Sequence, residues 1–361
     1  MLVEITKTKT KSDEISDTPN NSFGPSDFDI ELSFQDNPVI TRHINASKTK
    51  GLKFHEAPDL KALISEEDEQ SDSIAEYNNE NIPVDLIDLF KDTEVKKLID
   101  VEIKHSNSVT FSVVSEHSQL LEIDWDKLLE PYKKEVVNLV HIRSVSNVAN
   151  KSSNSQPGHN TLLLLSYSHK DMGQTLYTIN EHFEIEAKEL LTMFFKHEMR
   201  KDPKPNVLTI ARYINKKSIK LLSNQIYDIL HISAHGQPRK IGLEDPYDSG
   251  SIEWFGPEEI LKYWKTNQRF SLVFLSICNG ANMVDPLGST AFDLVKNGFT
   301  KSIVAFRDGA GSEHSLPTFT SMFYDLLFLG KTVEESFFET AKSVYQKPGI
   351  NLSPIYYKAY D

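Results

Sequence analysis

The chain has 361 residues, of which 39% are hydrophobic, with a single cysteine and a formal net charge of −13. The negative charge argues against nucleic acid as a direct partner, because phosphate binding requires a basic surface. One cysteine excludes an internal disulfide framework and fits a reducing cytoplasm. No apolar run reaches the roughly 18 residues of a membrane span, and the first residues lack the apolar core of a signal peptide. We therefore predict a cytoplasmic protein of one large or two smaller domains, without a membrane partner.

The first 80 residues carry most of this charge. Residues 1–80 hold 17 acidic and 8 basic residues, a net charge of −9, and only isolated apolar residues. Such a segment cannot bury enough apolar surface to offset the entropy that folding removes. We predict an acidic, largely disordered N-terminal tail or docking segment, in which residues 30–34 have the pattern of a strand that pairs on binding.

A more apolar region follows and precedes the main alternation of strands and helices. Residues 83–90 predict an amphipathic helix, residues 109–114 alternate as a strand, and residues 120–129 lead into another short helix. The polar, turn-forming loop 149–160 closes this part of the chain. We therefore predict an opening subregion over residues 82–150 of the domain that follows.

Residues 151–361 alternate between short apolar runs and longer amphipathic segments, which is typical of βαβ units. Such units build a mostly parallel sheet with helices on both faces. The sequence therefore predicts an α/β fold, a three-layer αβα sandwich with a mostly parallel central sheet. The predicted strands cover residues 161–166, 206–211, 227–235, 271–278 and 302–306, and the predicted helices cover residues 179–198, 214–222, 257–264, 290–296, 316–329 and 337–345.

Two of the predicted strands end in residues that can take part in catalysis. One ends at His235 and Gly236, and another ends at Cys278, the only cysteine of the chain. Taken alone, each is equally well explained as a buried structural residue. Adjacent parallel strands would bring the imidazole and the thiol to one edge of the sheet, as a nucleophile and its general base. We place the oxyanion donors at the main-chain N–H groups of Gly236 and Cys278.

These two blocks resemble those of a known family. The stretch Leu230-His-Ile-Ser-Ala-His235-Gly236 and the stretch Leu272-Val-Phe-Leu-Ser-Ile-Cys278 are similar to the His-Gly and Cys blocks of CHAT domains, which belong to the caspase, separase and gingipain group of cysteine peptidases (clan CD). Many CHAT domains have a Pro-Trp-Glu-x-Leu motif just before the catalytic sheet. The corresponding stretch here contains Trp125, but Asp124 and Asp126 replace the Pro and the Glu. The resemblance implies a caspase-like fold and a cysteine endopeptidase acting through a dyad of Cys278 and His235, without a cofactor.

The resemblance also implies a specificity pocket and a biological setting. Asp308 lies where the family has the Asp of a Trp-Asp pair, although Arg307 replaces the Trp, and a carboxylate there selects a substrate with Arg or Lys before the cleaved bond. Ser166 and Glu313 are further candidates for this pocket, and an exposed turn is the alternative for Asp308. Family members often act in bacterial immunity, antiviral defence or cell death, where a sensor or activator protein controls them.

Three other interpretations are weighed against this one. The first is a catalytically inactive caspase-like scaffold that binds a partner protein and keeps Cys278 buried. The second, a nucleotide-binding domain, lacks a Gly-rich phosphate loop after the first strand, where residues 166–169 read Ser-Tyr-Ser-His. The third, a metal site at His231 and His235, is disfavoured because four strand residues separate the two by about 13 Å and no further ligand completes a zinc set. We expect no metal.

Overall fold

A computed structural model shows two compact units, Met1–Ser144 and Val145–Asp361. The secondary structure of the following residues is described: 2–7, 28–34, 37–44, 84–105, 108–116, 118–121, 123, 125, 128, 129, 132, 138–146, 148, 160–168, 170, 176–198, 207–264, 269–281, 288–307, 315–345 and 352–360. Among these residues, no helix is both long enough and apolar enough to cross a bilayer.

The first unit combines a sheet with short helices. Within it, β1 pairs antiparallel with β2 and parallel with β4, and β2 pairs antiparallel with β3. The elements are β1 (Leu2–Lys7), β2 (Phe28–Phe34), β3 (Asn37–Ile44), α1 (Val84–Lys91), α2 (Thr93–His105), β4 (Ser108–Ser115), α3 (Ser118–Leu121) and β5 (Asn138–Val145). The helix predicted at 83–90 and the strand predicted at 109–114 are thus present.

Three strands lie within residues 1–80, where the composition predicted a largely disordered tail. The difference has a physical reason, because β2 alternates apolar and polar residues and its backbone groups are satisfied by β1 and β3. An average over 80 residues hides an alternation this short. The rest of the predicted tail, residues 8–27 and 45–80 among them, lies outside the described residues, and for it the tail stays a prediction.

An aromatic cluster forms part of the core of the first unit. The rings of Phe90, Phe111 and Trp125 lie with centroids 5.8–6.4 Å apart, in edge or tilted arrangements. Trp125 is fully buried, and its Nε1 donates a hydrogen bond to the carbonyl oxygen of Leu120 at 3.0 Å. The tryptophan of the family-like stretch is therefore a core residue of this unit.

The second unit carries the predicted alternation of strands and helices. The predicted helix 290–296 and strand 302–306 have the predicted bounds, and the other predicted elements are present with small shifts at their ends. The elements are β6 (Asn160–Leu165), α4 (Leu176–Glu198), β7 (Val207–Arg212), α5 (Lys216–Leu222), β8 (Ile229–Ser233), β9 (His235–Gln237), β10 (Lys240–Glu244), β11 (Ile252–Phe255), α6 (Pro257–Tyr263), β12 (Leu272–Ser276), α7 (Thr290–Lys296), β13 (Ser302–Phe306), α8 (Ser315–Phe328), α9 (Val333–Tyr345) and β14 (Pro354–Ala359).

The main sheet of the second unit is mostly parallel. Its strand order is β14-β13-β12-β8-β6-β7, and every neighbouring pair is parallel except β13 with β14. Strands β8, β12 and β13 are buried along their whole length, as expected for strands covered on both faces. The predicted α/β fold with a mostly parallel central sheet is confirmed.

Helices cover both faces of this sheet. Helix α4 packs against α8 and α8 against α9, whereas α5 packs against α6 and α6 against α7. The chain runs from β6 to β7 in one direction along the sheet and from β7 to β8 in the opposite direction. Because parallel crossovers are right-handed, this reversal puts α4 and α5 on opposite faces. The three-layer αβα arrangement follows from that reversal.

A second, smaller sheet was not predicted. Strands β9, β10 and β11 form an antiparallel sheet in the order β11-β10-β9, where the sequence predicted the end of the histidine strand followed by a loop. His235 therefore begins β9 and pairs with Gly242, instead of ending β8. The strands are only three to five residues long, and such short runs give too little alternation to be recognised.

Candidate active site

The candidate site lies at the carboxyl edge of the main sheet. The strand order changes direction between β6 and β8, because the chain leaves β6 toward β7 and then returns to β8 on the other side. In open α/β sheets, the crevice outside the carboxyl ends of strands at such a point is where ligands bind. The residues that follow β6 and β8 are therefore placed where a substrate would bind.

His235 and Cys278 follow neighbouring parallel strands at the same height. Ser233 of β8 lies opposite Ser276 of β12, so each candidate residue stands two positions beyond a paired residue. The backbone ladder continues past the strand ends, since the N–H of Ala234 donates to the carbonyl oxygen of Ser276 at 3.4 Å. The predicted adjacency of the two strands is confirmed, and it brings both residues to one edge.

Gly236 fixes how closely the two segments approach. A Cβ atom added to Gly236 would lie 2.0 Å from the carbonyl oxygen of Cys278 and 3.0 Å from its backbone nitrogen. Only a residue without a side chain fits against this backbone. In the small sheet the same glycine lies opposite Ile241. The segment after His235 is thus in direct contact with the backbone of the candidate nucleophile, and the predicted oxyanion role of these two N–H groups stays a prediction.

Cys278 stands at a sharp turn after its strand. The residue is partly exposed. The next residue, Asn279, has a positive φ of 57°, a conformation that asparagine tolerates better than most residues. The turn is held from two sides, because the N–H of Ala281 donates to Phe306 at 3.0 Å and the N–H of Ala291 donates to Gly280 at 3.1 Å.

The imidazole of His235 is oriented by the segment after β6. Its Nε2 lies 2.8 Å from the carbonyl oxygen of Ser168. A carbonyl oxygen can only accept a hydrogen bond, so Nε2 carries the proton and Nδ1 of the neutral ring keeps a basic lone pair. The ring of Phe183 meets the imidazole edge-on at 6.1 Å between centroids. This arrangement is that of a histidine ready to take up a proton at Nδ1.

Burial lowers the pKa of His235 below its ordinary value of 6.5, and the hydrogen bond to the carbonyl of Ser168 opposes this effect only in part. The neutral, basic form of the ring is therefore the form present at neutral pH. A general base needs this form before it accepts the proton of a nucleophile.

This shift predicts the pH dependence of any hydrolysis that uses His235 as base. Below the pKa of the imidazole the ring is protonated and cannot accept the thiol proton, so activity is lost as the pH falls. Because burial lowers that pKa, we expect the acid limb of kcat/KM to have its midpoint below pH 6.5. The measurement is kcat/KM between about pH 4.5 and 8 on a peptide without groups that titrate in that range. An acid midpoint above this ordinary histidine value would contradict the assigned role.

Of the three residues predicted to form the specificity pocket, the structure describes one. Ser166 is 1% exposed, and its hydroxyl lies 3.0 Å from the hydroxyl of Ser168, so it supports the segment that orients His235. Asp308 and Glu313 lie outside the described residues. The specificity pocket made of these three residues stays a prediction.

Sequence reasoning missed Ser168 as the partner of His235. The serine uses its main-chain carbonyl, and a carbonyl leaves no mark in the residue type. The available signal was position, because Ser168 follows β6, the strand beside β8. From the sequence, the stretch 166–169 supplied only Ser166, as a candidate for the specificity pocket.

His231 is a core residue of the second unit. Its side chain is fully buried, its ring stacks on Phe274 at 4.7 Å, and its Nδ1 lies 3.1 Å from the hydroxyl of Tyr324. Across the described stretches, no group of three or more His, Cys, Asp or Glu residues is arranged to hold a metal ion.

Fold and site together define an α/β protein whose doubly covered, mostly parallel sheet brings a cysteine and a histidine to one carboxyl edge. No family model and no curated protein matches the chain. Solved structures that are similar include the Arg-specific cysteine proteinase gingipain R, with 13% identity, a TM-score of 0.45, and coverage of 74% of this chain and 68% of the other.

Two further structures are similar over a shorter part of this chain. Caspase-1 from Spodoptera frugiperda has 11% identity and a TM-score of 0.35, with 59% of this chain and 92% of the other covered. A secreted C11 cysteine protease from Bacteroides thetaiotaomicron has 11% identity and a TM-score of 0.33, with 52% and 59% covered. The α/β fold class itself follows from the strand order of this chain.

Proposed function

We propose that the chain is a cysteine peptidase in which Cys278 is the nucleophile and His235 is the general base and acid. The observation that carries the proposal is the contact between the two strand ends, where Gly236 lies against the backbone of Cys278. The partial exposure of Cys278 and the imidazole held by the carbonyl oxygen of Ser168 support it further. A buried, inert cysteine needs none of these features.

The proposed reaction has two steps. In the first, Nδ1 of His235 takes the thiol proton, the sulfur of Cys278 attacks the peptide carbonyl, the C–N bond breaks, and the histidine gives the proton to the leaving amine. In the second, His235 takes a proton from water, the hydroxide attacks the thioester, the C–S bond breaks, and the thiol is regenerated. We assign the N–H groups of Gly236 and Cys278 to the oxyanion of both tetrahedral intermediates.

For the substrate we propose a protein cleaved internally after Arg or Lys, as for CHAT-type and separase-like enzymes. The support is Asp308, two residues after β13, the strand beside β12. A carboxylate in a pocket next to the nucleophile binds a guanidinium or ammonium group through charge-assisted hydrogen bonds. Ser166 and Glu313 are the other residues proposed for this pocket.

We also propose that a partner protein controls the enzyme in a bacterial immunity or cell-death system. The support is the family resemblance together with the acidic segment 1–80, whose net charge of −9 suits docking to a basic surface. Removal of residues 45–80, which leaves β1, β2 and β3 in place, should therefore change activity or partner binding.

A peptide-library digestion tests the proposal. The purified chain is incubated with a proteome-derived library, and new termini are identified by mass spectrometry, with Cys278→Ala and His235→Ala as matched controls. We expect new termini after Arg and Lys from the unmodified chain alone. Cleavage after other residues would overturn the substrate preference only. Cleavage by the two variants as fast as by the unmodified chain would overturn the assigned dyad. Absence of cleavage above the level of Cys278→Ala, with and without added cell lysate as a source of an activator, would overturn the peptidase and favour the inactive scaffold.

A further inference from the structure

A fully buried carboxylate lies beneath the two strand ends and takes no part in the proposed reaction. Glu186, in the middle of α4, is 2% exposed. Burying a charge is costly unless hydrogen bonds and opposite charges compensate it. The partners of Glu186 therefore indicate what the buried charge does.

One carboxylate oxygen of Glu186 joins the two strands that lead to the candidate dyad. Oε2 accepts hydrogen bonds from the hydroxyl of Ser233 at 2.6 Å and from the hydroxyl of Ser276 at 2.8 Å. These two serines lie opposite each other in β8 and β12, two residues before His235 and Cys278. A single oxygen atom thus bridges β8 and β12 at the last paired position before the site.

The other oxygen faces the second helix on the same side of the sheet. Oε1 accepts a hydrogen bond from the hydroxyl of Thr320 in α8 at 2.8 Å. Nε2 of His231 lies 3.3 Å from the same oxygen, although the geometry is not that of a hydrogen bond. The hydroxyl of Tyr324 contacts the other ring nitrogen of His231.

These contacts keep Glu186 ionised. Burial alone would raise the pKa of Glu186, but the nearby His231 and the hydroxyls of Ser233 and Ser276 more than offset burial and lower it. The group is an anion that accepts three hydroxyl hydrogen bonds, and such bonds are stronger than those between neutral groups.

We propose that Glu186 is a positioning residue for the peptidase reaction, because it fixes Ser233 relative to Ser276 and thereby sets the spacing of His235 and Cys278. The inference rests on the proposed function. A nucleophile and its base must be held to a fraction of an ångström, since a misplacement of about 1 Å costs on the order of 100-fold in rate. The carboxylate provides this restraint at the last residue pair of β8 and β12.

The position of Glu186 favours this role over one in stability alone. Replacing a buried ionic group by apolar residues is often neutral or stabilising, so a buried carboxylate is weak evidence for stability. Backbone hydrogen bonds already pair β8 with β12 from Ile229 to Ser233. What Glu186 adds is a link at one point, next to the site.

The test compares two kinds of thiol reactivity in Glu186→Leu and in the double variant Ser233→Ala/Ser276→Ala. A peptidyl chloromethyl ketone requires a correctly placed dyad, whereas iodoacetamide at about pH 9.5, above the ordinary thiol pKa of about 8.5, requires only an accessible thiol. We expect each variant to react with the peptidyl reagent at least about tenfold more slowly than the unmodified chain, as for a displacement of a few tenths of an ångström. Iodoacetamide should label Cys278 at an unchanged rate.

Thr320→Val is the matched control, because it removes a hydroxyl from the same carboxylate on the side away from β8 and β12. We expect it to lower the melting temperature less than the double serine variant, which loses two such hydrogen bonds, and to keep the peptidyl rate within about twofold. Glu186→Gln keeps one carbonyl oxygen for the serines and should recover part of the rate lost in Glu186→Leu.

Two failures are distinguishable. If the peptidyl reagent does not modify Cys278 in the unmodified chain, the proposed function and this inference fall together. If the reagent does modify Cys278, the positioning role alone can still be wrong. It is wrong if the double serine variant reacts as fast as the unmodified chain, or if its reaction rate falls no more than that of Thr320→Val. The double serine variant retains Glu186 and His231, so the test stands even where Glu186→Leu does not fold.

Discussion

Cys278→Ala is expected to reduce peptide hydrolysis to the background level, a loss of about 10⁴-fold or more. The variant removes the atom that forms the acyl-enzyme, and no second cysteine is present to replace it. His235→Ala should cost a similar factor, because the nucleophile and its base act as a unit and their losses do not add. The measurement is kcat/KM on the best peptide from the library digestion.

The control for this prediction is a measurement that the Cys278→Ala protein is still folded. Cys278 is partly exposed and the substitution removes a single sulfur atom, so the melting temperature should change little. A folded Cys278→Ala protein that retains more than about one-tenth of the activity would contradict the assignment, since a nucleophile cannot be dispensable.

Gly236→Ala is expected to have the second largest effect. The new methyl group would lie 2.0 Å from the carbonyl oxygen of Cys278, a backbone atom that cannot rotate away. Relief requires the strand ends to separate, which moves His235 from Cys278. We expect a loss of at least about 100-fold in kcat/KM, from displacement of the reacting groups, and a loss of stability of about 3 kcal/mol, at the upper end for overpacked sites.

Gly256→Ala supplies the matched control. Its added methyl group would lie 3.0 Å from the far end of the flexible Glu258 side chain and 4.0 Å from the carbonyl oxygen of Arg239, an ordinary contact, and its φ of −78° suits any residue. Activity and stability should stay close to those of the unmodified chain. Equal tolerance of the two alanines, measured by kcat/KM and thermal unfolding, would show that Gly236 does not lie against the backbone of Cys278.

The strands of the main sheet could be predicted because each one is visible in a short local stretch of sequence. Buried parallel strands such as β12 are short, unbroken apolar runs, and the helices between them have apolar residues at helical spacing. The neighbouring positions of β8 and β12 were a hypothesis that the resemblance of the two blocks supported, because no strand order can be read from the apolar runs themselves. The pairing of the two strands confirms the hypothesis and brings His235 and Cys278 to one edge.

The remaining features depend on contacts that are distant in sequence. Glu186 lies in an amphipathic helix, where a single glutamate is normally exposed, and its partner Thr320 is 134 residues away. Ser168 contributes a main-chain carbonyl, which every residue has. Strand β14 pairs with β13 across α8 and α9, and its short apolar stretch gives no indication of its partner.

The most direct measurement is the site of covalent modification by a peptidyl chloromethyl ketone with arginine next to the reactive group. Intact mass and peptide mapping would be recorded for the unmodified chain, His235→Ala and Gly256→Ala. We predict one adduct, on Cys278, that forms at equal rates in the unmodified chain and Gly256→Ala and at least about 100-fold more slowly in His235→Ala. An adduct on another residue, or one on Cys278 that forms equally fast without the imidazole, would contradict the pairing of these two side chains.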